Sequence, residues 1–244
     1  MAPSQDNPAA ARNLGKGKIA TAVAILGERI VAGDFAPGRP LPVEADLAQT
    51  LDVGRSVLRE AIKVLASKGM VSARPRLGTM ILPRSQWNLF DHDVLHWMLR
   101  PGLVEPGLLR DILVARAIIE PQAARLAAIN ATMSDKANIR AAFRAMAESV
   151  GDPDASVRAD IQFHTSILEA SHNAILHAFS PALTAILSAF FQISIQNPEI
   201  FPGNLPAHER VAREIDAEDP EAAHAAMLDV LGYTEADLTE RLKL

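Results

Sequence analysis

The sequence predicts a mainly α-helical protein: an N-terminal winged helix-turn-helix followed by an all-helical domain of about six helices. Three observations carry this. Apolar residues recur at helical spacing over most of the chain. The first third reads helix, helix, turn, helix and then two short β-prone runs around RPRLG, which is the order of a winged helix-turn-helix. From Leu108 onward no convincing strand is found, and the breaks fall at Pro, Gly, Asn or Ser clusters.

Composition sets the outer limits. The chain has 244 residues, 49% of them apolar, 22% charged and 5% aromatic. That is a globular composition, long enough for real cores, and it excludes collagen-like, disordered and disulfide-scaffold classes. With no cysteine, disulfides, thiolate chemistry and cysteine-based zinc sites are excluded too. The N-terminal MAPSQDNPAAARNLGKGK lacks the apolar run of a secretory leader, and a cytoplasmic location is expected. Residues 170–198 carry no Asp, Glu, Lys or Arg. They do carry His172, Asn173, His177, Pro181, Gln192 and Gln196 and lack basic flanks, so a core helix is expected there rather than a membrane span.

Charge is unevenly spread. The formal net charge is −5, yet residues 14–83 hold ten Lys and Arg against six Asp and Glu, a net of +4. Residues 84–244 carry −9. A basic end joined to an acidic remainder suggests that the basic end meets a polyanion.

The elements follow in order. Residues 1–13 read as a loose, flexible tail. Ile19, Val23, Leu26 and Ile30 recur at helical spacing until Gly33 stops the run. GDFAPGRPLP is a turn-rich connector. Glu44 to Thr50 is a short helix with Leu47 inward, LDVG a tight turn, and Arg55 to Ser67 a helix closed by Gly69. MVSARPRLGTMIL is a small hairpin that completes a unit over 14–83. Residues 84–107 read as a linker helix, with Trp87, Phe90, Val94, Leu95 and Met98 on one face. In 108–244 helices are broken near Asn130–Ser134, Gly151–Pro153, Ser171–Asn173, Asn197–Pro206 and Asp219–Pro220.

Within Arg55 to Ser67, Leu58, Ala61, Ile62 and Leu65 form the stripe expected to be buried. Arg55, Arg59 and Lys63 fall at i, i+4 and i+8 on another face. Cations there suit phosphates and the guanine edge in a major groove, for which arginine has the bidentate geometry. Ser56 at the helix start can donate to a phosphate, Arg74 and Arg76 add charge on the wing, and Gly78 permits close backbone approach. The alternative is a solvated face, with Arg59 or Lys63 paired to Glu60 or Asp46.

Two features of 108–244 carry chemistry. Asp160 and His164, at i and i+4, share one helix face, and a carboxylate and an imidazole so placed can share a divalent cation. His208 is expected at the start of a later helix, after a Pro-rich break. Arg116 lies in VARAIIEP, whose Ile112, Leu113, Ile118 and Ile119 are expected to face the core. Surface ion pairs, Asp160 with His164 and Arg116 with Glu120, are the competing readings. His172, Asn173, His177, Ser188 and Gln192 are weaker candidates for a pocket lining.

GDFAPGRPLPVEADLA, VGRSVLREAIKVLASKGMV and RPRLGTM together resemble the GntR family of bacterial transcription regulators over about 65 residues. Its pattern has a Pro-Gly turn, Leu-Pro-x-Glu, a Leu-Ala pair, Arg plus Arg-Glu-Ala in the recognition helix, and a glycine in the wing. The chain departs from it at Gly54, where Ser or Thr is usual, at Val57, where Pro or Thr is common, and at Ala45, where some members carry a DNA-contacting Arg. VARAIIEPQAARLAA, ADIQFHTSILEASHN and AHERVAREIDAEDPEAAHAAM resemble the helical ligand-binding FCD domain of the family's FadR-like branch. PRSQWNLFDHDVLHWMLR is similar to a linker in repressors of galactonate and related sugar-acid operons.

The resemblance implies double-stranded operator DNA as a partner, with Arg55, Ser56, Arg59, Lys63, Arg74, Arg76 and Gly78 as the contacting residues. It implies a homodimer, since two-fold operators need two winged helices. In 108–244 it implies a domain for effector binding and dimerisation, and a small carboxylate or sugar-acid effector at Arg116, Asp160, His164 and His208. The expected outcome is repression released by effector. The branch binds a divalent metal, zinc or similar, through Asp and His spaced by four plus two later His. Asp160, His164 and His208 match three of these ligands. The fourth position is Val230, which cannot ligate, and His224 lies six residues too early. Two other classes compete. A DNA-binding scaffold would dimerise without sensing an effector. A helical metal-dependent hydrolase would use Asp91–His92–Asp93 or the Asp160, His164, His208 set, but leaves the winged-helix pattern unexplained.

Overall fold

In the computed structural model, which describes residues 8–194 and 200–242, the chain divides into two units, Met1–Met98 and Leu99–Leu244. The loose tail expected over 1–13 lies outside the described residues as far as residue 7. From Pro8 the backbone is helical.

In the first unit α1 (Pro8–Ala32) buries Ala22, Val23, Leu26, Ile30 and Val31, a stripe at helical spacing. α2 (Glu44–Thr50) and α3 (Arg55–Ser67) have the bounds the sequence predicts. α1 and α2 both pack on α3. Leu58, Ala61 and Leu65 have no exposed surface, and truncating such a leucine costs about 2–5 kcal/mol. Ile62, expected in the same stripe, is only half-buried, because it sits at the stripe's edge. Gly69 ends α3 with φ 75°. Its N–H donates to Ala66 and that of Met70 to Leu65, which satisfies carbonyls the helix leaves open.

The wing is the antiparallel pair β1 (Val71–Arg74) and β2 (Gly78–Ile81), with Val71 opposite Ile81 and Arg74 opposite Gly78. The connector before α2 adds a short third edge. Gly38 N–H donates to Ile81 O, Ile81 N–H to Arg39 O, and Leu41 N–H to Thr79 O. The segment read as a linker helix holds a 3-10 turn (Arg84–Gln86) and α4 (His92–Met98), which packs on α1. Trp87, Val94, Leu95 and Met98 are buried there, as is Trp97. Phe90 is 61% exposed: it precedes α4 and does not share its face. Buried Lys68, the residue after α3, donates to both oxygens of Asp91 and to Asp93, at 2.7, 2.8 and 2.9 Å. Asp91 also caps α4 through the N–H groups of Asp93 and Val94.

The second unit is all-helical and holds seven helices among the described residues. They are α5 (Pro106–Asn130), α6 (Met133–Glu148), α7 (Pro153–Ala170), α8 (Ala174–His177), α9 (Ser180–Ser194), α10 (Ile200–Asp216) and α11 (Pro220–Leu242). The count passes the expected six because the turn at Ser171–Asn173 leads into four-residue α8. Side-chain caps fix the entries. Thr132 and Asp135 form a capping box on α6, and Asp152 and Asn173 cap α7 and α8. α5 packs on α11, α7 and α10, and α7 also on α6 and α9. Ala123, Ala124, Ala127 and Ala128 of α5 are buried, as are Ala223 and Ala226 of α11. These small side chains let the two helices pack closely.

Two expectations fail here. Ile118 does not face the core: it is 63% exposed, and Val114 beside it 60%, while Ile112 is buried and Leu113 and Ile119 half-buried. α5 is apolar nearly all round, so its periodicity does not mark the inner face. His208 does not start a helix after a Pro-rich break. α10 already runs from Ile200, with Pro202 in its first turn and Pro206 inside it. Proline is tolerated in a first turn, whereas Pro206 forfeits the bond its missing N–H would give to Pro202 and crowds that carbonyl. The start of that expected break, at 197–199, lies outside the described residues. No helix of the described residues is long and apolar enough to cross a membrane, and the uncharged stretch forms α8 and α9.

Candidate functional site

Two groups of the residues singled out by sequence come together, one in each unit. The first is the basic face of the winged helix. Arg55, Ser56, Arg59 and Lys63 are all exposed along α3, and Arg74, Arg76 and Gly78 are exposed on the wing. Arg59 Nε is 2.8 Å from Glu44, not Asp46, and Lys63 Nζ is 2.7 Å from Glu60. Lys63 thus has a partner that the solvated-pair reading named, and Arg59 one that it did not. Such exposed, solvent-screened pairs contribute little and leave both cations free to turn to phosphates. Glu44 also raises the Arg59 pKa. Gly54 precedes α3 in extended conformation, and no side chain caps the first N–H groups of the helix, which leaves them open to a phosphate. At the wing tip the loop is Pro75, Arg76 and Leu77, with Leu77 N–H donating to Arg74 O. Arg76 has φ 65° there, a position that favours glycine or asparagine, and Gly78 has φ 84°.

The second group is built across three helices. α7 places Asp160 and His164 one turn apart, and α10 brings His208 to them. His164 Nε2 is 3.3 Å from His208 Nε2, and Asp160 Oδ1 is 3.7 and 3.5 Å from those two atoms. His164 and His208 are each 3% exposed. Among the described residues this is the set of three that could share a cation. The fit can be tested on these separations. Ligands bound at about 2.0–2.1 Å with tetrahedral angles stand about 3.3–3.4 Å apart. The two imidazole nitrogens match this spacing, and the Asp160 oxygen, at 3.5 and 3.7 Å, has to shift slightly inward.

The outer nitrogens are also held. His208 Nδ1 donates to Asn204 O at 2.8 Å, which leaves Nε2 with its lone pair inward. His164 Nδ1 is 2.5 Å from Glu120 Oε2 on α5, although the angle is poor and neither atom has a well-formed hydrogen bond. The other Glu120 oxygen accepts from Arg116 Nε at 2.5 Å. A carboxylate behind a ligating histidine is a recurrent support for metal sites. Burial works against the Glu120 charge, but Arg116 and His164 outweigh it and hold the carboxyl at about 2. Asp160 is likewise opposed by burial and is held below the usual carboxylate range by His208, His164 and Arg116.

Arg116 and Glu120 do pair, as the competing reading had it, but in the interior rather than on the surface: each is 2% exposed. With Nε committed to Glu120, the terminal nitrogens of Arg116 are left to face another acceptor. Its guanidinium lies 5.5 Å from the centre of the Phe190 ring on α9. Phe163 sets its ring edge-on to both His164 and His208. Val230 is buried on α11, and its carbonyl accepts from Asn204 Nδ2 at 3.1 Å. His224 is outside the set.

The weaker pocket candidates do other work. His172 pairs with Asp135, Asn173 caps α8, and Ser188 bonds back to Thr184 on its own helix. His177 and Gln192 are exposed. Asp91 and Asp93, from the hydrolase reading, are engaged by Lys68. Sequence reasoning missed Asn204 and the inward role of Glu120. Each stands four residues from a residue it did single out, His208 and Arg116, and that spacing was a usable signal.

Comparison with known proteins agrees with this division. The model of the "Bacterial regulatory proteins, gntR family" matches residues 18–81, and that of the FCD domain matches residues 111–232. The galactonate operon transcriptional repressor of Escherichia coli is 35% identical over 222 residues, covering 91% of this chain and 95% of that protein. An Escherichia coli protein named for regulation of the L-lactate dehydrogenase operon is 33% identical over 206 residues, 82% of this chain and 78% of its own length. Among solved structures, Streptococcus agalactiae GntR is 25% identical with a TM-score of 0.50, covering 90% of this chain and 99% of that one. E. coli McbR/YncC shares the fold at 17% identity with a TM-score of 0.56, covering 92% and 98%.

Proposed function

The chain belongs to the GntR family of bacterial regulatory proteins, with an FCD domain, and from that premise we propose a homodimeric repressor of a sugar-acid operon that a small carboxylate releases from its operator. That it is a DNA-binding transcription regulator and not an enzyme follows from the family. The observation that supports the effector reading best is the set of buried Arg116, His164 and His208 with half-buried Asp160. Its chemistry, an arginine fork beside a candidate cation site with an open coordination position, is what a carboxylate with a neighbouring hydroxyl needs.

In this reading Asp160, His164 and His208 hold a divalent cation, zinc or a similar metal, which when bound supplies a Lewis-acidic anchor for the effector's oxygens. Glu120 and the carbonyl of Asn204 orient the two imidazoles. Arg116 takes the carboxylate through its terminal nitrogens. A hydrophobic residue at Val230 leaves one coordination position to the effector or to water. The domains are assigned as 14–83 for DNA, 84–107 as the connection, and 108–244 for effector binding and dimerisation.

On DNA, Arg55, Ser56, Arg59, Lys63, Arg74, Arg76 and Gly78 form the contact face, with α3 in the major groove and the wing against the backbone. Two such faces in a dimer read two half-sites. An effector that binds the two dimer arrangements unequally shifts operator occupancy by that difference. Working on the chromosome, the protein is cytoplasmic.

The test is fluorescence anisotropy on DNA upstream of the protein's own gene, with and without D-galactonate, alongside the dimer mass in solution. Tight, salt-sensitive binding that galactonate abolishes supports the reading. Binding that no sugar acid affects leaves the scaffold reading instead.

A further inference from the structure

Outside the metal and carboxylate roles, Ser180 Oγ and Asn204 Oδ1 are the buried side-chain atoms left without a partner among the described residues, and Asn204 is the one that stands beside the candidate site. It is 6% exposed, and its Oδ1 has no hydrogen-bond partner. Its orientation is set from the other end, where Nδ2 donates to Val230 O at 3.1 Å. Flipping the amide would set its oxygen against that carbonyl, so Oδ1 is the atom left to face away from α11.

A side chain at Gly203 would meet the Tyr233 hydroxyl, the far end of an exposed side chain that would have to move aside. Asn204 and His208 stand at i and i+4 on α10, on one face and about 6 Å apart along the axis. The same Asn204 that steers the His208 ring through its backbone carbonyl therefore presents an unused amide oxygen one turn from the candidate cation site. A buried acceptor without a donor costs about 1–3 kcal/mol, a cost that a ligand hydroxyl removes.

We propose that Asn204 Oδ1 accepts a hydrogen bond from a hydroxyl of the effector beyond its carboxylate end, and so selects polyhydroxy acids over short 2-hydroxy acids. This rests on the effector reading of the Arg116, Asp160, His164, His208 site. An acid anchored there needs a polyol chain to reach the next helical turn, which a hexonate has and L-lactate lacks. A site built to bond a hydroxyl discriminates strongly against a ligand without one, because its own polar group is then left unpaired.

Isothermal titration of the metal-loaded dimer with D-galactonate, D-gluconate and L-lactate tests this, with Asn204→Leu beside the wild type. The expected result is tenfold or greater loss of sugar-acid affinity in the variant, with metal content and operator affinity unchanged. Monodeoxy analogues of galactonate, each lacking one hydroxyl beyond the second carbon, read the same contact on the unaltered chain. One of them binds the wild type at least tenfold more weakly than galactonate. Sugar-acid affinity equal in variant and wild type, or all analogues binding as galactonate does, overturns the proposal and leaves the effector site standing. A wild type that prefers L-lactate overturns the selectivity. A wild type that binds none of these acids overturns the effector reading and this proposal with it.

Discussion

Glu120 on α5 and His164 on α7 meet at 2.5 Å, the carboxylate behind the imidazole nitrogen that points away from Asp160 and His208. Neither is exposed beyond 3%, so the contact fixes which nitrogen of His164 faces the candidate cation site. Glu120→Gln keeps the shape and removes the charge; it also leaves buried Arg116 without its anion, so the comparison is made where the variant's thermal midpoint shows it folded. The expected result is a 10–100-fold loss of metal affinity, read by competition with a chelating dye, with operator binding retained. Unchanged affinity would mean that the pair only closes the core.

Arg116→Ala is a poor probe of the effector role, because it leaves Glu120 buried without its cation, at a cost of about 3–5 kcal/mol. Arg116→Lys retains the charge and loses the fork. It is expected to fold, with a thermal midpoint within a few degrees of wild type, and to need at least tenfold more sugar acid to leave the operator. A release curve identical to wild type would place the carboxylate elsewhere.

Arg76 at the wing tip has φ 65°. Glycine there relieves about 1–2 kcal/mol of backbone strain and costs about 0.5–1 kcal/mol in chain entropy, so stability should change little. The loss is in charge. Arg76→Gly is expected to weaken operator binding and to lower the slope of log affinity against log salt by about one. Anisotropy at several salt concentrations checks this, and an unchanged slope would place the wing tip off the phosphates.

Lys68 joins α3 to the start of α4 through Asp91 and Asp93. Burial opposes the charge on both Lys68 and Asp93, but their mutual bonds win. The lysine is held above its ordinary value and Asp93 below its own. A depressed carboxylate contributes stability above its unfolded value of about 3.9 and loses it as pH falls through the folded one. Lys68→Met is thus expected to be destabilised at pH 6, with the deficit shrinking toward pH 3 as the stabilisation carried by Asp93 is lost from the wild type. Urea unfolding at both pH values measures it. A constant deficit would assign the effect to packing alone.

The winged helix was legible because its punctuation is strong: Pro42, Gly54 and Gly69 bracket α2 and α3, and three of the four stripe residues are fully buried. The interior of the second unit was less so. An arginine and a glutamate four apart read the same on a surface as in a core, and only the packing of α5 against α7, α10 and α11, with Phe190 of α9 beside the guanidinium, buries Arg116 and Glu120. Asp160 and His164 were readable as one helix face. That α10 brings His208 within 3.5 Å of Asp160 depends on a helix running through Pro206, where local rules place a break.

The most direct measurement is operator anisotropy under rising D-galactonate, run on metal-loaded protein and on the same protein stripped by chelator and re-folded to an unchanged circular dichroism spectrum. A cation held by Asp160, His164 and His208 predicts release from DNA at low galactonate in the loaded protein, and a midpoint at least tenfold higher after stripping. Re-adding metal restores the low midpoint. Identical release curves with and without metal would contradict the account.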